Sequence, residues 1–224
     1  MSTLIAVLTL TRDRLEYTQH CVATLRENAG CDFDHYVLDQ ASEDGTAEWL
    51  TREQRRFASV ILSDENVGLS RGHNRLLDVA MGLGRYDVVV TFDNDCEVVM
   101  PGTLRAAAKI AARGDWVVSP RVEGLKYPPP VGETVWVDGE PIGPYAELCG
   151  IFRVMPGELA RDFRFNEDNP LWGHDERDVG RVCRERGLGS GYLLDWHVNH
   201  YETTVGQEAR YPIYFQRKYA EIFG

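Results

Sequence analysis

Asp93-Asn94-Asp95 follows directly on the continuous apolar run at residues 87–92. In open α/β sheets ligands bind outside the carboxyl ends of the strands. Two carboxylates one residue apart at a strand end can bend round one divalent cation. Hard oxygen ligands suit Mg2+ or Mn2+, which can bridge to a diphosphate; read more blandly, the same residues are turn chemistry. A second set is His197-Val198-Asn199-His200. Imidazole is the commonest protein ligand for metals, but residues three apart oppose each other on a strand. The segment leaves a strand expected at residues 193–197, so a turn is needed to bring both rings to one ion. Otherwise they are half-buried histidines beside Trp196 and Tyr201.

Trp172-Gly173-His174-Asp175-Glu176-Arg177-Asp178 places three carboxylates within four residues at a helix start. The helix dipole stabilises acids there. A partly desolvated carboxylate in this cluster can also deprotonate an alcohol, with the tryptophan face stacking on a sugar. Asn66-Val67-Gly68-Leu69-Ser70-Arg71-Gly72-His73-Asn74 lies between a strand and a helix. A diphosphate can meet helix-terminal amides there and pair with Arg71. Asp39-Gln40-Ala41-Ser42-Glu43-Asp44-Gly45-Thr46 follows another strand, and an acid there can accept from a base or a ribose hydroxyl. Ordinary turn composition accounts for either loop taken singly. The GxGxxG loop of dinucleotide dehydrogenases and the Walker A lysine are absent.

The elements that must carry these groups alternate. Strands are expected at 4–10, 33–39, 59–63, 87–92 and 116–119, and helices at 14–28, 46–57, 69–83 and 102–112. Residues 87–92 read as a strand covered on both faces. This βαβ alternation predicts a mostly parallel sheet flanked by helices. Beyond it come a hairpin around Asp138-Gly139, a strand at 149–154, a helical turn near 156–161, a helix at 176–186 and a terminal amphipathic helix at 212–223. No linker separates domains, so one domain over 1–224 is expected, with a nucleotide half at 1–120 and a completing half at 121–224. The glycines and prolines of 126–142, with Trp136 as an apolar tip, suggest either a lid over both substrates or a packed surface hairpin.

Composition narrows the classes. The 224 residues are 43% hydrophobic and 26% charged, a globular profile, with a net charge of −11. That charge disfavours nucleic-acid and anionic-membrane partners. Apolar stretches of about seven residues fall short of the roughly 20 that span a bilayer. The five cysteines, at 21, 31, 96, 149 and 183, form no CxxC pair, so a reduced, cytoplasmic setting is expected.

In order, the segments resemble GT-A-fold nucleotide-sugar glycosyltransferases, especially family 2. Thr9-Leu10-Thr11-Arg12 is similar to that family's Thr-Tyr-Asn-Arg strand exit. Residues 39–46 are similar to its Asp-Asn-Gly-Ser-Thr-Asp-Gly-Thr segment, and 66–74 to Asn-x-Gly-x-Ser-x-x-x-Asn. Asp93-Asn94-Asp95 matches the DXD metal motif. The second half resembles β-1,4-galactosyltransferases, which carry Trp-Gly-Gly-Glu-Asp-Asp-Asp and a Met-x-x-His metal segment. Here the acidic pair is reversed, His174 replaces a glycine, and Gln40 replaces the usual Asn or Asp.

The resemblance implies an inverting hexosyltransferase that uses Mn2+ or Mg2+ and a nucleotide diphospho-sugar, UDP-linked, to glycosylate an acceptor hydroxyl on a glycan, glycolipid or other small molecule. It implies metal ligation by Asp95 and His200 with help from His197 and Asp93. Donor contacts would come from Thr9, Thr11, Arg12, Asp39, Asn66, Gly68, Arg71, Asn74, Asp93 and Asn94. The acceptor would meet Trp172, Gly173 and Asp175, with Asp175 or Glu176 as catalytic base. The short chain without membrane helices resembles soluble transferases and not processive synthases. A non-catalytic nucleotide- or carbohydrate-binding relative is the alternative, and a nucleotidyltransferase a more distant one.

Overall fold

A computed structural model describes residues 2–125, 132–169 and 174–201. Strand β1 (Ile5–Thr11) leads through α1 (Leu15–Asn28) to β2 (Asp34–Gln40), α2 (Thr46–Arg52), β3 (Ser59–Ser63), α3 (Leu69–Leu83) and β4 (Val88–Phe92). The short β5 (Cys96–Val98) and α4 (Thr103–Ala111) precede β6 (Trp116–Glu123). The hairpin β7 (Val135–Val137) and β8 (Glu140–Pro144) comes next, then β9 (Phe152–Pro156), α5 (Gly157–Asp162), α6 (Asp175–Arg186) and β10 (Gly189–His200). The helix expected at 212–223 lies outside the described residues.

The sheet runs β3-β2-β1-β4-β9-β6-β10-β8-β7, with β5 paired to β10. Its central strands are apolar on both faces because both faces are covered. Ile5, Val7, Val88, Val90 and Phe92 pack with Cys21 and Leu25 of α1 and Leu104, Ala107 and Ile110 of α4. The alternate residues Ala6, Leu8 and Val89 pack with Leu76 and Leu77 of α3, Leu159 of α5 and Val179 of α6. Burial at about 25 cal/mol per Å2 of apolar surface drives this layering.

β3, β2, β1 and β4 are parallel, as the alternation predicts. Beyond β4 the sheet is mixed. β9 pairs antiparallel with both β4 and β6, and β10 returns parallel to β6. The β6 strand is therefore not the neighbour of β4, because β9 lies between them. An apolar run buried on both faces reads alike in either direction, so its pattern carries no sign of orientation.

Three boundaries bear on function. β10 continues to His200 where a turn was expected, since β6 and β5 flank its end. β9 begins at Phe152 and leaves Cys149 and Gly150 in the preceding loop. The described part of the expected lid, 132–142, is paired into the sheet through β8 and β10. Lys109 Nζ and Arg113 Nη1 hold its Asp138 turn at 2.8 and 2.9 Å, while Trp136 is exposed. Residues 135–142 thus take the packed-hairpin form of the two expectations; residues 126–131 lie outside the described residues.

One glycine decides how β9 turns into α5. A Cβ on Gly157 would stand 1.8 Å from the Tyr86 carbonyl oxygen, whereas one on Gly82 in α3 would meet nothing within 4 Å. Gly157→Ala is therefore expected to destabilise the fold by about 3 kcal/mol through overpacking. Gly82→Ala should stabilise it by about 0.5–1 kcal/mol. Urea denaturation of both variants checks the opposite signs.

Candidate functional site

The chain leaves β1 towards β2 and β3 and then crosses back to β4 on the other side of β1. The carboxyl ends of these strands therefore open a crevice of the kind that receives ligands. The loops at its rim are tied to one another. Asp13 Oδ1 accepts the Glu43 amide at 2.9 Å, the Asp13 amide donates to Ser42 Oγ at 2.7 Å, and Asp44 Oδ2 accepts the Leu15 amide at 2.7 Å. Asp39, buried at the end of β2, accepts from the Ser42 amide at 3.0 Å and from its hydroxyl. Gln40 Oε1 accepts the Val67 amide at 3.1 Å, and Asn66 Oδ1 accepts the Gly68 amide at 3.0 Å. Gly68, at φ 82°, then opens α3.

Asp93, Asn94 and Asp95 have separate tasks. The Asp93 amide donates to the Ile151 carbonyl at 2.9 Å, which fixes the turn after β4. Asn94 Nδ2 reaches the hydroxyls of Thr11 at 3.2 Å and Thr18 at 3.0 Å. Asp95 Oδ2 lies 2.6 Å from Arg14 Nη1 and 3.3 Å from His200 Nε2. Burial alone would raise the Asp95 pKa, but hydrogen bonds and charges from His200 and Arg14 bring it below the usual carboxylate range. Asp93 is held well above that range by burial, with the Asp95 and Asp175 charges adding to it. Burial opposes the charged form of His200, yet its bond to Asp95 keeps the imidazole pKa raised.

His200 reaches this place from the end of β10, which is fastened by Asn199 Nδ2 and His20 Nε2, each 2.8 Å from a Glu97 oxygen. His197 is not brought to Asp95. The stretch 197–200 pairs regularly with β6 and β5, so residues three apart point to opposite faces. Among the described residues no group of three or more His, Cys, Asp and Glu side chains is arranged to hold a metal ion. One carboxylate and one imidazole still form a donor pair that fits Mn2+, with the remaining positions left for phosphate and water oxygens.

The acidic cluster is divided by an arginine. Arg153 on β9 is fully buried; its Nη2 donates to Asp175 Oδ2 at 2.7 Å and to the Leu148 carbonyl at 2.9 Å. The approach requires Gly150, where a Cβ would stand 2.8 Å from that same Asp175 oxygen. Burial raises the Asp175 pKa, but the Arg153 charge outweighs it and holds the carboxyl below its ordinary value. Asp178 Oδ2 accepts from the Asn166 amide and from Asn169 Nδ2, both at 2.9 Å. Glu176 remains partly exposed, and burial together with the Asp175 charge pushes it up to about 8. Trp172 and Gly173 lie outside the described residues.

The sequence model for glycosyl transferase family 2 matches residues 6–130. The chain belongs to that family. Solved structures agree in fold. A mannosyltransferase from Pyrobaculum calidifontis, in complex with GDP-Man and Mn2+, superposes with a TM-score of 0.68 at 17% identity, covering 92% of this chain and 59% of that one. GalNAc-T7 with UDP, GalNAc and Mn2+ gives 0.68 at 11% identity, with coverages of 88% and 44%. S. aureus TarS 1-349 in complex with UDP gives 0.66 at 16% identity, with coverages of 87% and 59%. The chain thus has the GT-A fold and spans between 44% and 59% of these structures. No curated protein sequence matches it. Among the described residues no helix is long and apolar enough to cross a membrane.

The other expected donor residues of this family 2 chain are largely engaged inside the protein. Thr9 Oγ1 is buried against His35 Nε2 at 2.9 Å. Asn74 clasps the backbone of Phe165 at 2.9 and 3.0 Å and Glu167 Oε1 at 3.0 Å. Arg71 is exposed with Nε 3.8 Å from Glu167, and Arg12 is exposed beside Asp13. Sequence reasoning missed Arg14 and Arg153. An arginine inside the otherwise apolar run 151–155 was a readable sign of the second; nothing local marks the first.

Two tests follow from the buried charges. Removing one partner of a buried ion pair leaves the other uncompensated, so Arg153→Met should lose about 3–5 kcal/mol. Arg153→Met with Asp175→Leu should recover part of that loss in chemical denaturation. His73 is pushed down to about 4, chiefly by burial, against about 6.5 in an unfolded chain. Its neutral form belongs to the fold, so its contribution is complete above pH 6.5 and is lost as pH falls towards 4. Between pH 7 and 4 the wild type should lose about 3 kcal/mol more stability than His73→Leu, read by urea melts at each pH.

Proposed function

We propose that the chain transfers a hexosyl unit, with inversion, from a nucleotide diphospho-sugar to an acceptor hydroxyl, with a divalent cation held by Asp95 and His200. The observation that carries this reading is the meeting of those two side chains at 3.3 Å at the crevice between β1 and β4. Family membership supports the transfer, and the GDP-Man, UDP and Mn2+ held by the fold's solved relatives support the ligand classes. UDP is the proposed nucleotide, with Asp39 facing its base. Asn66, Gly68, Asn74, Asn94 and Thr11 would then shape the donor loops, and Arg71 would serve the sugar or phosphates.

Mn2+ or Mg2+, when bound, neutralises charge on the departing nucleoside diphosphate. The choice of base follows from Arg153. Asp175 is committed to that guanidinium, and Glu176, half-buried beside it, is the carboxylate with a raised affinity for protons. Glu176 takes the acceptor hydroxyl proton as the acceptor oxygen bonds to the anomeric carbon. The bond from that carbon to the diphosphate oxygen breaks, and its electron pair leaves with the nucleoside diphosphate. Asp175, held by Arg153, acts through its contact with Glu176 and not on the acceptor itself.

Thermal shifts with UDP-, GDP- and dTDP-sugars, with and without Mn2+, identify the donor, since a ligand stabilises with the logarithm of its excess over Kd. Glu176→Gln is then expected to lower transfer by about 10²–10⁴-fold while donor binding persists. Because the base must be ionised and Glu176 is raised to about 8, the wild-type rate should climb from pH 6 to above 8. A flat profile, or a Glu176→Gln enzyme of wild-type rate, rejects Glu176 as the base.

A further inference from the structure

Glu176 lies between two anchors on the first turn of α6. One residue before it, Asp175 Oδ2 is held by Arg153 of β9 at 2.7 Å. Two residues after it, the buried Asp178 takes two hydrogen bonds on Oδ2, from the Asn166 amide and from Asn169 Nδ2, both at 2.9 Å. This third carboxylate of the acidic cluster takes no part in the proton transfer. The loop that it grips, 163–169, is itself held to α3. Asn74 accepts the Phe165 amide at 2.9 Å and donates to the Phe165 carbonyl at 3.0 Å. Asn169 Nδ2 also reaches Ser70 Oγ at 3.3 Å, and Arg164 Nε donates to Asp78 Oδ1 at 3.0 Å. Ser70, Asn74 and Asp78 are spaced four apart and so share one face of α3. A line of support therefore runs from α3 through this loop to Asp178 and the turn that carries Glu176.

We propose that Asp178 is a positioning residue for Glu176. The proposal rests on the assignment of Glu176 as the base. A helical turn held at one point can pivot about it. Arg153 supplies the first point, through Asp175, and the α3-held loop supplies the second, through Asp178. With both in place, the rotation that would swing Glu176 away from the attacking oxygen is blocked. Removing the Asp178 carboxylate strands the Asn166 amide and the Asn169 amide group without their acceptor, so turn and loop part until other partners are found. A displacement of about 1 Å at a reacting group costs on the order of 100-fold in rate. The proposed metal ligands Asp95 and His200 stand on other elements, after β4 and at the end of β10. Loss of Asp178 therefore lowers turnover and leaves donor affinity in place.

The test is release of UDP or GDP by the whole protein with Mn2+, water serving as acceptor. UDP-glucose, UDP-galactose, UDP-N-acetylglucosamine and GDP-mannose are screened, and the donor that turns over fastest is used. Asp178→Ala is expected to lower kcat about 10–100-fold with donor KM within about twofold of wild type. Asp178→Asn keeps an oxygen that can accept both bonds, and should hold kcat within about threefold of wild type. Asn169→Ala removes one of the two bonds from the loop side and should lose less. Added to Asp178→Ala it should cost little more, because both act through one contact. Wild-type kcat in Asp178→Ala overturns the role of Asp178. An Asp178→Asn enzyme as impaired as Asp178→Ala overturns it too, as does a donor KM that rises in step with the loss of kcat. Where Asp178→Ala does not fold, wild-type kcat in Asn169→Ala is the overturning result. Glu176→Gln, measured alongside, separates the two assignments: wild-type kcat there rejects the base itself, and the Asp178 proposal with it.

Discussion

Acidic side chains crowded beyond the carboxyl end of a central strand are the constraint on which the rest of the arrangement depends. Asp93 feels the charges of Asp95 and Asp175, Glu176 feels that of Asp175, and burial raises the pKa of all four. The fold answers with two arginines from unrelated places. Arg14, at the exit of β1, holds Asp95, and Arg153, inside β9, holds Asp175. Arg153 keeps Asp175 ionised, His200 together with Arg14 keeps Asp95 ionised, and the neighbouring Asp93 and Glu176 are left with raised pKa values. The cluster is thereby divided into ionised and proton-accepting carboxylates, which is the division that acid–base chemistry requires.

Placing Arg153 there depends on the direction of one strand. β9 enters the sheet antiparallel between β4 and β6, with Thr91 of β4 beside Arg153. The carboxylates after β4 and the guanidinium that organises α6 are thus fixed to neighbouring strands of one sheet. Gly150 completes the approach by leaving room for the Asp175 oxygen. On the other side, Asn94 spans from the turn after β4 to Thr11 and Thr18. The β1 exit, the start of α1 and the turn after β4 are therefore tied together. A polar side chain in such a network acts by holding the site's geometry, as Asn74 does for the Phe165 loop.

Much of this was legible in the residues. Strong periodicity and βα alternation determined β1 to β4, their helices and their parallel order, because each element is long, buried and locally consistent. The order of Asp39, Asn66, Asp93, Asp175, Glu176 and His200 along the chain pointed to the family. What only the tertiary structure decided was pairing between distant segments. The parity of a strand that runs on to His200 separates His197 from Asp95. The insertion of β9 makes the sheet mixed, and the Arg153 contact distinguishes Asp175 from Glu176. Arg14 meets Asp95 across 81 residues. Local sequence specifies backbone propensity and facing; which charges end up sharing a buried volume is set by how the strands order in space.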